Sequence, residues 1–450
     1  MFTENCGKIY FIKTFGCQMN AHDSLTAAGI LESLGYSKGK SMSDADIILF
    51  NTCCIRELAE KKAYAMLGIA QIAKKANKHT IIGVFGCMSQ QESAQKRLKR
   101  RYPLIDFVFG TNNLHMLPEY IKKASAGEKT FNIEMGDPQK DFLIDPRHQN
   151  PPLAFTNIMQ GCNNFCSYCI VPYVRGREVS RPPELILNEI EHLVANGYKE
   201  VTLLGQNVNS YGKDIEGMSF SKLLSVADAK GIERIRFMTS HPKDLTEELI
   251  DAIAGLKHVC KQIHLPVQSG ADNILNAMNR RYNRKHYMGL VDKLRTAMPN
   301  IGITTDIIVG FPGETEADFE DTLNLVSEVR FNSAFMFAFS ARPDTPAADM
   351  ENQIDKDIKA RRLNTLINIQ RKISAEKSAK LVGKTYNVLI EGESTRKNGY
   401  FTGKTDGGMS VSFAGTNMIP GEFVNIEITK SNINSLVGKI ADGGKQSCQV

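Results

Sequence analysis

The stretch Phe155-Thr156-Asn157-Ile158-Met159-Gln160-Gly161-Cys162-Asn163-Asn164-Phe165-Cys166-Ser167-Tyr168-Cys169 places three cysteines directly after an apolar run that is typical of a β-strand. Their C-x3-C-x2-C spacing supplies three thiolates on one short loop, enough to hold three corners of a [4Fe–4S] cube. The fourth iron then stays open for a substrate. A structural zinc site needs four closed ligands, so the alternative interpretation is a zinc knuckle that borrows a remote fourth ligand.

The composition is that of an ordinary folded protein. Hydrophobic residues make up 42% and charged residues 23% of the 450 residues, which predicts two or three domains without long disordered stretches. No apolar run is long enough to span a membrane, and the first residues lack the pattern of a signal peptide. We therefore expect a cytoplasmic protein whose ten cysteines act as ligands rather than as disulfides.

Positive charge is concentrated in two segments, although the net charge is only +6. One is the cluster at residues 96–101, and the other is a predicted amphipathic helix over residues 356–380. A basic helix face can bind the phosphates of a nucleic acid. A helix face that is simply exposed to solvent, without a nucleic-acid partner, explains the same charge pattern equally well.

The first part of the chain alternates short apolar runs with longer segments of helical period, such as residues 57–76. This alternation predicts a parallel sheet covered by helices, a flavodoxin-like or Rossmann-like domain over residues 6–124. The predicted strands are residues 9–15, 47–50, 81–85 and 107–109. Residues 125–152 are rich in Pro, Gly and Asp and are predicted to be a linker.

A second series of strand and helix patterns covers residues 153–380. Six strands separated by helices favour a partial (β/α)6 barrel of the TIM type over an open sheet, and in both architectures ligands collect at the carboxyl ends of the strands. The predicted strands are residues 155–160, 200–204, 235–239, 263–266, 303–309 and 334–339.

The C-terminal residues, 381–446, change character and contain short strands punctuated by glycine. This pattern predicts a small antiparallel β-barrel. The predicted strands are residues 385–390, 399–402, 409–413 and 423–428.

Cys17, Cys53 and Cys87 each stand just after a predicted strand of the N-terminal domain. Neighbouring parallel strands lie ~5 Å apart and end at the same edge of the sheet, so the three thiols are predicted to converge on a metal cluster. Any one of them alone is explained as a small buried hydrophobic residue. On spacing alone, Cys54 is a substitute for Cys53. The other cysteines lack such a setting and are expected to be structural or incidental: Cys6, Cys260 and Cys448.

With both cysteine sets in place, the chain closely resembles the methylthiotransferase family of radical S-adenosylmethionine (SAM) enzymes, in particular its tRNA-modifying MiaB branch. The resemblance covers essentially the whole chain, and it makes the C-terminal β-barrel similar to a TRAM module. The matching motifs are Lys13-Thr14-Phe15-Gly16-Cys17-Gln18-Met19-Asn20, Asn51-Thr52-Cys53, Gly86-Cys87-Met88, residues 161–178 and Leu204-Gly205-Gln206-Asn207-Val208.

The resemblance implies two [4Fe–4S] clusters. Their ligands would be Cys162, Cys166 and Cys169 for the cluster that cleaves SAM, and Cys17, Cys53 and Cys87 for an auxiliary cluster. In the family pattern the ligand directly follows Asn-Thr, which favours Cys53 over Cys54. The implied activity adds a methylthio group to carbon 2 of N6-(dimethylallyl)adenosine next to the anticodon. One SAM methylates a sulfur and a second yields the radical that attacks the unactivated C–H bond, chemistry that only a cofactor can supply.

The implied partners are the tRNA anticodon stem-loop, SAM and a low-potential electron donor such as flavodoxin or ferredoxin. Gln206 and Asn207 at the end of the second barrel strand, and Asp306 in the fifth, are candidates for orienting SAM. Turn formation or helix capping is the alternative role for these polar residues. His241 and His264 also lie near predicted strand ends and are expected to be structural.

Two alternative functions compete with this interpretation. The first is the sister activity on threonylcarbamoyl-adenosine in tRNA or on an aspartate of ribosomal protein S12. The motifs Gln18-Met19-Asn20 and Arg175-Gly176-Arg177-Glu178 look more like the dimethylallyladenosine branch. The second is a non-catalytic iron–sulfur or zinc protein that binds RNA, which would not need two clusters with an open iron.

Overall fold

The N-terminal strands form one sheet in the computed structural model, which describes residues 7–54, 57–147 and 151–445. The sheet has the order β2-β1-β3-β4-β5-β6, and its pairings are parallel. Its strands are β1 (Ile9–Thr14), β2 (Ser37–Lys38), β3 (Ile47–Thr52), β4 (Ile81–Gly86), β5 (Phe107–Phe109) and β6 (Thr130–Asn132). Its helices are α1 (Gln18–Ser33), α2 (Glu57–Ala76), α3 (Glu92–Arg101), α4 (Leu117–Ser125) and α5 (Pro138–Phe142).

The central strands of this sheet are buried on both faces, and most of their residues are apolar. Ile48 and Phe50 of β3 belong to one buried cluster, whereas Ile47 and Leu49 belong to another. Every residue of β3 and β4 is buried, as expected for parallel strands between two helical layers. The strand order 2-1-3-4-5, extended by β6, confirms the predicted flavodoxin-like arrangement.

The segment 125–152 differs from the expected linker. It contains β6, which pairs with β5, and α5, which buries Phe142. β6 is only three residues long, too short for alternation of apolar and polar residues to reveal it. Residues 148–150 of this segment lie outside the described residues, as do Cys6, Cys448 and the predicted domain limits at 6 and 446.

The following βα series forms two three-stranded sheets, β11-β10-β7 and β12-β13-β14, and confirms the predicted α/β alternation. The predicted strand 155–160 is split, because its second half pairs with a short antiparallel strand, β9. The strands are β7 (Leu153–Asn157), β8 (Met159–Gln160), β9 (Val179–Ser180), β10 (Glu200–Leu204), β11 (Arg234–Phe237), β12 (Gln262–His264), β13 (Gly302–Val309) and β14 (Ser333–Ala338). The helices are α6 (Val171–Arg175), α7 (Pro183–Ala195), α8 (Phe220–Asp228), α9 (Glu247–Gly255), α10 (Asp272–Ala277), α11 (Arg284–Ala297), α12 (Glu316–Val329) and α13 (Lys356–Ala379).

The C-terminal strands close into a five-stranded barrel in the order β15-β16-β17-β19-β18. The strands are β15 (Thr385–Glu393), β16 (Tyr400–Thr405), β17 (Ser410–Ala414), β18 (Phe423–Ser431) and β19 (Ser435–Lys445). Four of the predicted strands are present, whereas β19 was not predicted. The predicted antiparallel barrel is present with one exception, because β17 and β19 pair in parallel. Strand direction cannot alternate around a closed ring of five strands, so at least one neighbouring pair must be parallel.

The chain divides into two compact units. The first holds the N-terminal sheet together with Asn157–Asn163 and Ile170–Leu185, and the second holds Asn164–Cys169 and the chain from Ile186 onward. In the part of the chain that the structure describes, no helix is both long and apolar enough to cross a membrane.

Two buried arginines of β11 fasten the small barrel to the second unit's sheets. Arg236 donates to the carbonyls of Thr405 and Asp406, at 2.8 Å each, and forms an ion pair with buried Glu200 of β10 at 2.9 Å. Arg234, the first residue of β11, donates to the barrel as well. The barrel therefore lies at the amino ends of these strands, away from the carboxyl ends where ligands collect.

Candidate metal and cofactor sites

Cys17, Cys53 and Cys87 lie at one edge of the N-terminal sheet, as the sequence predicted. Cys17 stands between β1 and α1, while Cys53 and Cys87 directly follow β3 and β4. These three strands are neighbours, so the loops after them share one edge. Cys53 and Cys87 are buried, and Cys17 is partly exposed.

Asn20, in the first turn of α1, is the polar centre of this cysteine group. Its Nδ2 donates to the carbonyls of Phe15 and Thr52, at 2.8 and 3.0 Å, and so ties together the ends of β1 and β3. Its Oδ1 lies 3.9 Å from the Cys17 Sγ and 3.8 Å from the Cys87 Sγ. One amide oxygen thus faces two of the three predicted ligands.

Two glycines permit the tight approach of these loops. Gly16 has φ +114°, and a Cβ at this position would lie 2.6 Å from the Cβ of Cys53 and 2.9 Å from its Sγ. Gly86 has φ +97°, and a Cβ there would lie 2.4 Å from the Asn51 Oδ1 and 2.6 Å from the Thr52 carbonyl oxygen. Only glycine fits both the left-handed backbone and the available space.

Cys54 belongs to the same group. Its side chain forms a hydrogen bond with Cys87, and both residues pack in one buried cluster. This hydrogen bond lowers the pKa of the Cys87 thiol and raises the pKa of the Cys54 thiol well above its ordinary value. The structure therefore brings four thiols together, rather than the three that were predicted.

Arg175, at the end of α6, contacts this group with a guanidinium that is only 3% exposed. Its Nε donates to the Cys87 Sγ at 3.2 Å, and its Nη2 donates to Asn20 at 2.9 Å and to Asp23 at 2.7 Å. Burial acts to lower the pKa of Arg175, but Asp23 and the nearby thiols outweigh burial and hold it well above its ordinary value. The guanidinium thus carries a fixed positive charge beside Cys87, partly balanced by the Asp23 carboxylate.

The Cys166–Cys169 part of the second cysteine loop is fastened to the end of α10. The backbone N–H of Ser167 donates to the Met278 carbonyl at 3.1 Å, and the Asn279 side chain donates to the Phe165 carbonyl at 2.8 Å. Phe165 has φ +48°, a conformation that a non-glycine residue adopts only when its surroundings enforce it. These bonds fix the loop shape that presents Cys166.

Arg280 contacts Cys166 in the same way that Arg175 contacts Cys87. It is 4% exposed, and its Nη1 lies 3.2 Å from the Cys166 Sγ. Its other donors reach the Pro266 carbonyl at 2.9 Å and the hydroxyl of Tyr282 at 3.0 Å. Within the described residues no carboxylate pairs with Arg280, in contrast to Arg175, which pairs with Asp23.

Gln206 and Asn207 follow β10, as predicted, among other polar atoms at the carboxyl ends of the second unit's strands. Asn207 is buried and donates to Asp244 at 2.8 Å. Several buried polar atoms lack a partner in the part of the chain that the structure describes. Those at the ends of β10, β11 and β12 are Gln206 Oε1, Asn207 Oδ1, Asn209 Oδ1, Ser240 Oγ, His241 Nε2 and Gln268 Oε1. Buried polar atoms are nearly always satisfied, so this cluster fits a polar ligand.

Asp306, the third predicted SAM-orienting residue, lies in β13 and pairs with His264, with 3.4 Å between its Oδ2 and the imidazole Nε2. His264 Nδ1 also lies 3.0 Å from the Thr304 hydroxyl. His241 lies instead beside Tyr282, where burial and the charge of Arg280 lower its pKa to about 2. His241 is therefore neutral at physiological pH.

Three family profiles match: the Radical SAM superfamily over residues 156–326, Uncharacterized protein family UPF0004 over residues 9–110 and the TRAM domain over residues 379–441. A protein of Clostridium botulinum (strain Langeland / NCTC 10281 / Type F), named tRNA-2-methylthio-N(6)-dimethylallyladenosine synthase, is 49% identical over 435 residues, 96% of each chain. The chain belongs to the radical SAM methylthiotransferase family. A relative of the same name from Desulforamulus reducens is 47% identical over 444 residues, 98% of this chain and 97% of its own.

Solved radical SAM structures share the fold of this methylthiotransferase. The methyltransferase TsrM from Kitasatospora setae, with cobalamin and a [4Fe–4S] cluster bound, superposes with a TM-score of 0.56 at 13% identity, over 76% of this chain and 74% of its own. The cobalamin-dependent enzyme OxsB reaches 0.54 at 12% identity, over 82% of this chain and 56% of its own. At such identities the likeness concerns the fold alone.

The donor set of this methylthiotransferase fits iron–sulfur clusters. Thiolates are the ligands that such clusters prefer, and both groups offer cysteine sulfurs with a cationic side chain beside one of them. No three His, Cys, Asp or Glu side chains among residues 7–54, 57–147 and 151–445 form a cage for a single metal ion.

The two arginines were not predicted from the sequence. Arg175 stands inside a family motif, but its contact with Cys87 joins residues 88 positions apart. Arg280 lies 114 positions from Cys166 in a segment without a recognisable motif. Both contacts become visible only in the folded structure.

Proposed function

We propose that this chain is a tRNA methylthiotransferase that adds a methylthio group to carbon 2 of N6-(dimethylallyl)adenosine beside the anticodon. The observation that carries the proposal is the near-full-length identity of 47–49% to proteins that are named for this activity. The convergence of thiols at one sheet edge, and the cysteine loop fastened to α10, support it independently.

The six predicted cysteines are proposed as the cluster ligands. Cys17, Cys53 and Cys87 would hold the auxiliary cluster, and Cys162, Cys166 and Cys169 the cluster that binds SAM. When bound, the clusters and SAM supply the reductive and sulfur-transfer chemistry, which no side chain of the protein can perform. Cys54 remains a neighbour of the auxiliary cluster in this assignment, because the Asn-Thr motif is followed directly by Cys53.

Arg175 and Arg280 are proposed to stabilise negative charge at the two sites. A cluster with three thiolates gains a further negative charge on reduction, and a guanidinium in a dry environment attracts that charge strongly. Arg280 would act with its full charge, whereas Arg175 shares its charge with Asp23. Both residues position and tune a cluster rather than take part in bond making.

Gln206 and Asn207 are proposed to orient SAM, since their unpaired oxygens lie at the carboxyl end of β10. These oxygens can accept hydrogen bonds from the ammonium group of the methionine moiety. Asp306 is proposed for the same site, where its pairing with His264 would hold the carboxylate in place. The protein would thus bind and orient SAM without acting as an acid or base.

We also propose a role for each domain. The methylthiotransferase domain would begin near residue 6 and extend beyond residue 124 to include β6 and α5, with residues 153–380 as the radical SAM core and 381–446 as the TRAM barrel. The partners would be tRNA, at its anticodon stem-loop, SAM and a low-potential electron donor such as flavodoxin or ferredoxin, and the enzyme would act in the cytoplasm.

The test is an assay of anaerobically reconstituted protein with SAM, a strong reductant and one of two tRNAs. One tRNA carries N6-(dimethylallyl)adenosine and the other carries N6-threonylcarbamoyladenosine. Mass spectrometry of the digested nucleosides should show a methylthio group on the first alone. Modification of the second alone would replace the proposal by the sister activity. Absence of 5′-deoxyadenosine with either tRNA would indicate a non-catalytic protein.

A further inference from the structure

Two phenylalanine side chains on β14 are exposed, although both belong to a strand inside the second unit. Phe335 is 53% and Phe337 is 42% exposed. In the described part of the chain, no other large apolar side chain on the strands of the second unit's two sheets is exposed. Burial of an aromatic ring is strongly favourable, and neighbouring rings left open to water are typical of a binding surface.

The two rings lie on one face of their sheet. Successive residues of a strand point to opposite faces, so Phe335 and Phe337 point the same way. In the parallel pairing of β13 with β14, Phe335 lies opposite Asp306 and Phe337 lies opposite Ile308. The β13 residues of this face are half-buried, whereas those that alternate with them are buried. The face with the two rings is therefore the open one.

The same face continues onto β12 and toward the candidate SAM site. The His264 ring lies edge-on to the Phe335 ring, with 6.0 Å between the centroids and 72° between the planes. His264 also pairs with Asp306, which is proposed above to orient SAM. Phe337 is the residue before the last one of β14 and so lies near the carboxyl end, where ligands collect. The rings thus border the place where the substrate must meet SAM.

The charges of this face favour an uncharged ligand. The strands β12, β13 and β14 contain no lysine or arginine, and their one carboxylate belongs to Asp306. A negatively charged substituent would meet a like charge there and would find no cation on these strands. A branched hydrocarbon chain would instead bury its own surface together with that of the two rings.

We infer that Phe335 and Phe337 contact the dimethylallyl group of the target adenosine, and so select tRNA that already carries this group. The inference rests on the proposed function for the identity of the substrate. A dimethylallyl group is an uncharged, branched hydrocarbon chain. A threonylcarbamoyl group at the same nitrogen carries a carboxylate, which the face disfavours through Asp306. The two phenylalanines are therefore specificity-determining residues.

The test measures the binding of three forms of one tRNA to the reconstituted full-length enzyme. The target adenosine is unmodified, carries the dimethylallyl group or carries the threonylcarbamoyl group, and binding is followed by competition in fluorescence anisotropy. F335A/F337A removes both rings, whereas F335L/F337L retains apolar side chains without aromatic rings. V226A is the control, because it truncates an exposed apolar side chain on α8, outside the face.

The wild type should bind the dimethylallyl form about tenfold more tightly than the unmodified form, and the threonylcarbamoyl form no more tightly than the unmodified one. F335A/F337A should lower the tenfold preference to about twofold, with the affinity for the unmodified form unchanged. F335L/F337L should retain most of the preference, because an apolar contact needs no aromatic ring. V226A should behave as the wild type, and the SAM affinity and iron content should stay the same in all variants.

Four results would overturn the inference. An equal loss for the dimethylallyl and unmodified forms, in the leucine variant as well, would mean that the rings stack on bases. Weaker SAM binding in F335A/F337A would assign the rings to SAM. An unchanged preference in F335A/F337A would place the dimethylallyl group elsewhere, and preferred binding of the threonylcarbamoyl form would contradict the charge argument.

Methylthio transfer by the wild type separates this inference from the proposed function. Transfer to the dimethylallyl form upholds the proposed function, whichever way the phenylalanine variants behave. Its absence in the wild type would refute the proposed function, whereas transfer together with an unchanged preference in F335A/F337A would refute the inference alone.

Discussion

Replacement of Arg280 by methionine should make the SAM-binding cluster harder to reduce. The guanidinium lies 3.2 Å from the Cys166 Sγ and is 4% exposed. Full unit charges at this distance would attract by about 5 kcal/mol at an effective dielectric constant of about 20. The added electron is spread over the cluster, so the net worth of a charged hydrogen bond, about 1.5–3 kcal/mol, is the better guide. For a one-electron couple this range corresponds to a fall of about 65–130 mV in midpoint potential.

The assay is a redox titration followed by electron paramagnetic resonance, in a background that lacks Cys17, Cys53 and Cys87 so that one cluster is observed. Arg280→Lys retains the positive charge and should shift the potential by less than half as much. Iron content should stay at about four per chain in each variant. An unchanged or more positive potential in Arg280→Met with its iron intact would refute the electrostatic role.

Four further predictions follow from single contacts. Cys54→Ala should retain about eight irons per chain and Cys53→Ala about four; the reverse pattern would make Cys54 the ligand. Gly16→Ala, at φ +114°, should carry about 1–3 kcal/mol of strain and lose auxiliary-cluster iron, so full iron content would contradict the tight approach to Cys53. Asn207→Ala should weaken SAM binding by about three- to tenfold in equilibrium dialysis, and an unchanged affinity would remove it from the site. Arg236→Ala should cost about 3–5 kcal/mol in urea unfolding, because Glu200 stays buried without its cation; a loss below about 1 kcal/mol would contradict this.

The sequence predicted those features that local pattern determines. Short apolar runs such as residues 47–50 and 81–85, separated by segments of helical period, predict buried parallel strands, and neighbouring parallel strands end at the same edge. That geometry alone predicts that Cys17, Cys53 and Cys87 lie close together. β6, with three residues, left no pattern to recognise, and the parallel pairing of β17 with β19 follows from closure of a five-membered ring.

The features that escaped prediction depend on contacts between distant residues. A buried arginine is held in position by its hydrogen-bond acceptors. Those of Arg280 include the Cys166 sulfur and the Pro266 carbonyl, which come from separate segments of the chain. The surroundings of Lys377 escaped for the same reason. The charge of residues 356–380 was evident, but the sequence did not show that Arg295 and Arg330 lie near Lys377.

The proposed function requires that two separate sets of three cysteines each hold a [4Fe–4S] cluster. Iron and acid-labile sulfide per chain after anaerobic reconstitution test it most directly, in the wild type and in two triple alanine variants, one for each cysteine set. We expect about eight irons in the wild type and about four in each variant. About four irons in the wild type, falling to none in the Cys162/Cys166/Cys169 variant, would mean that the N-terminal set holds no cluster. Zinc in place of iron would contradict the claim altogether.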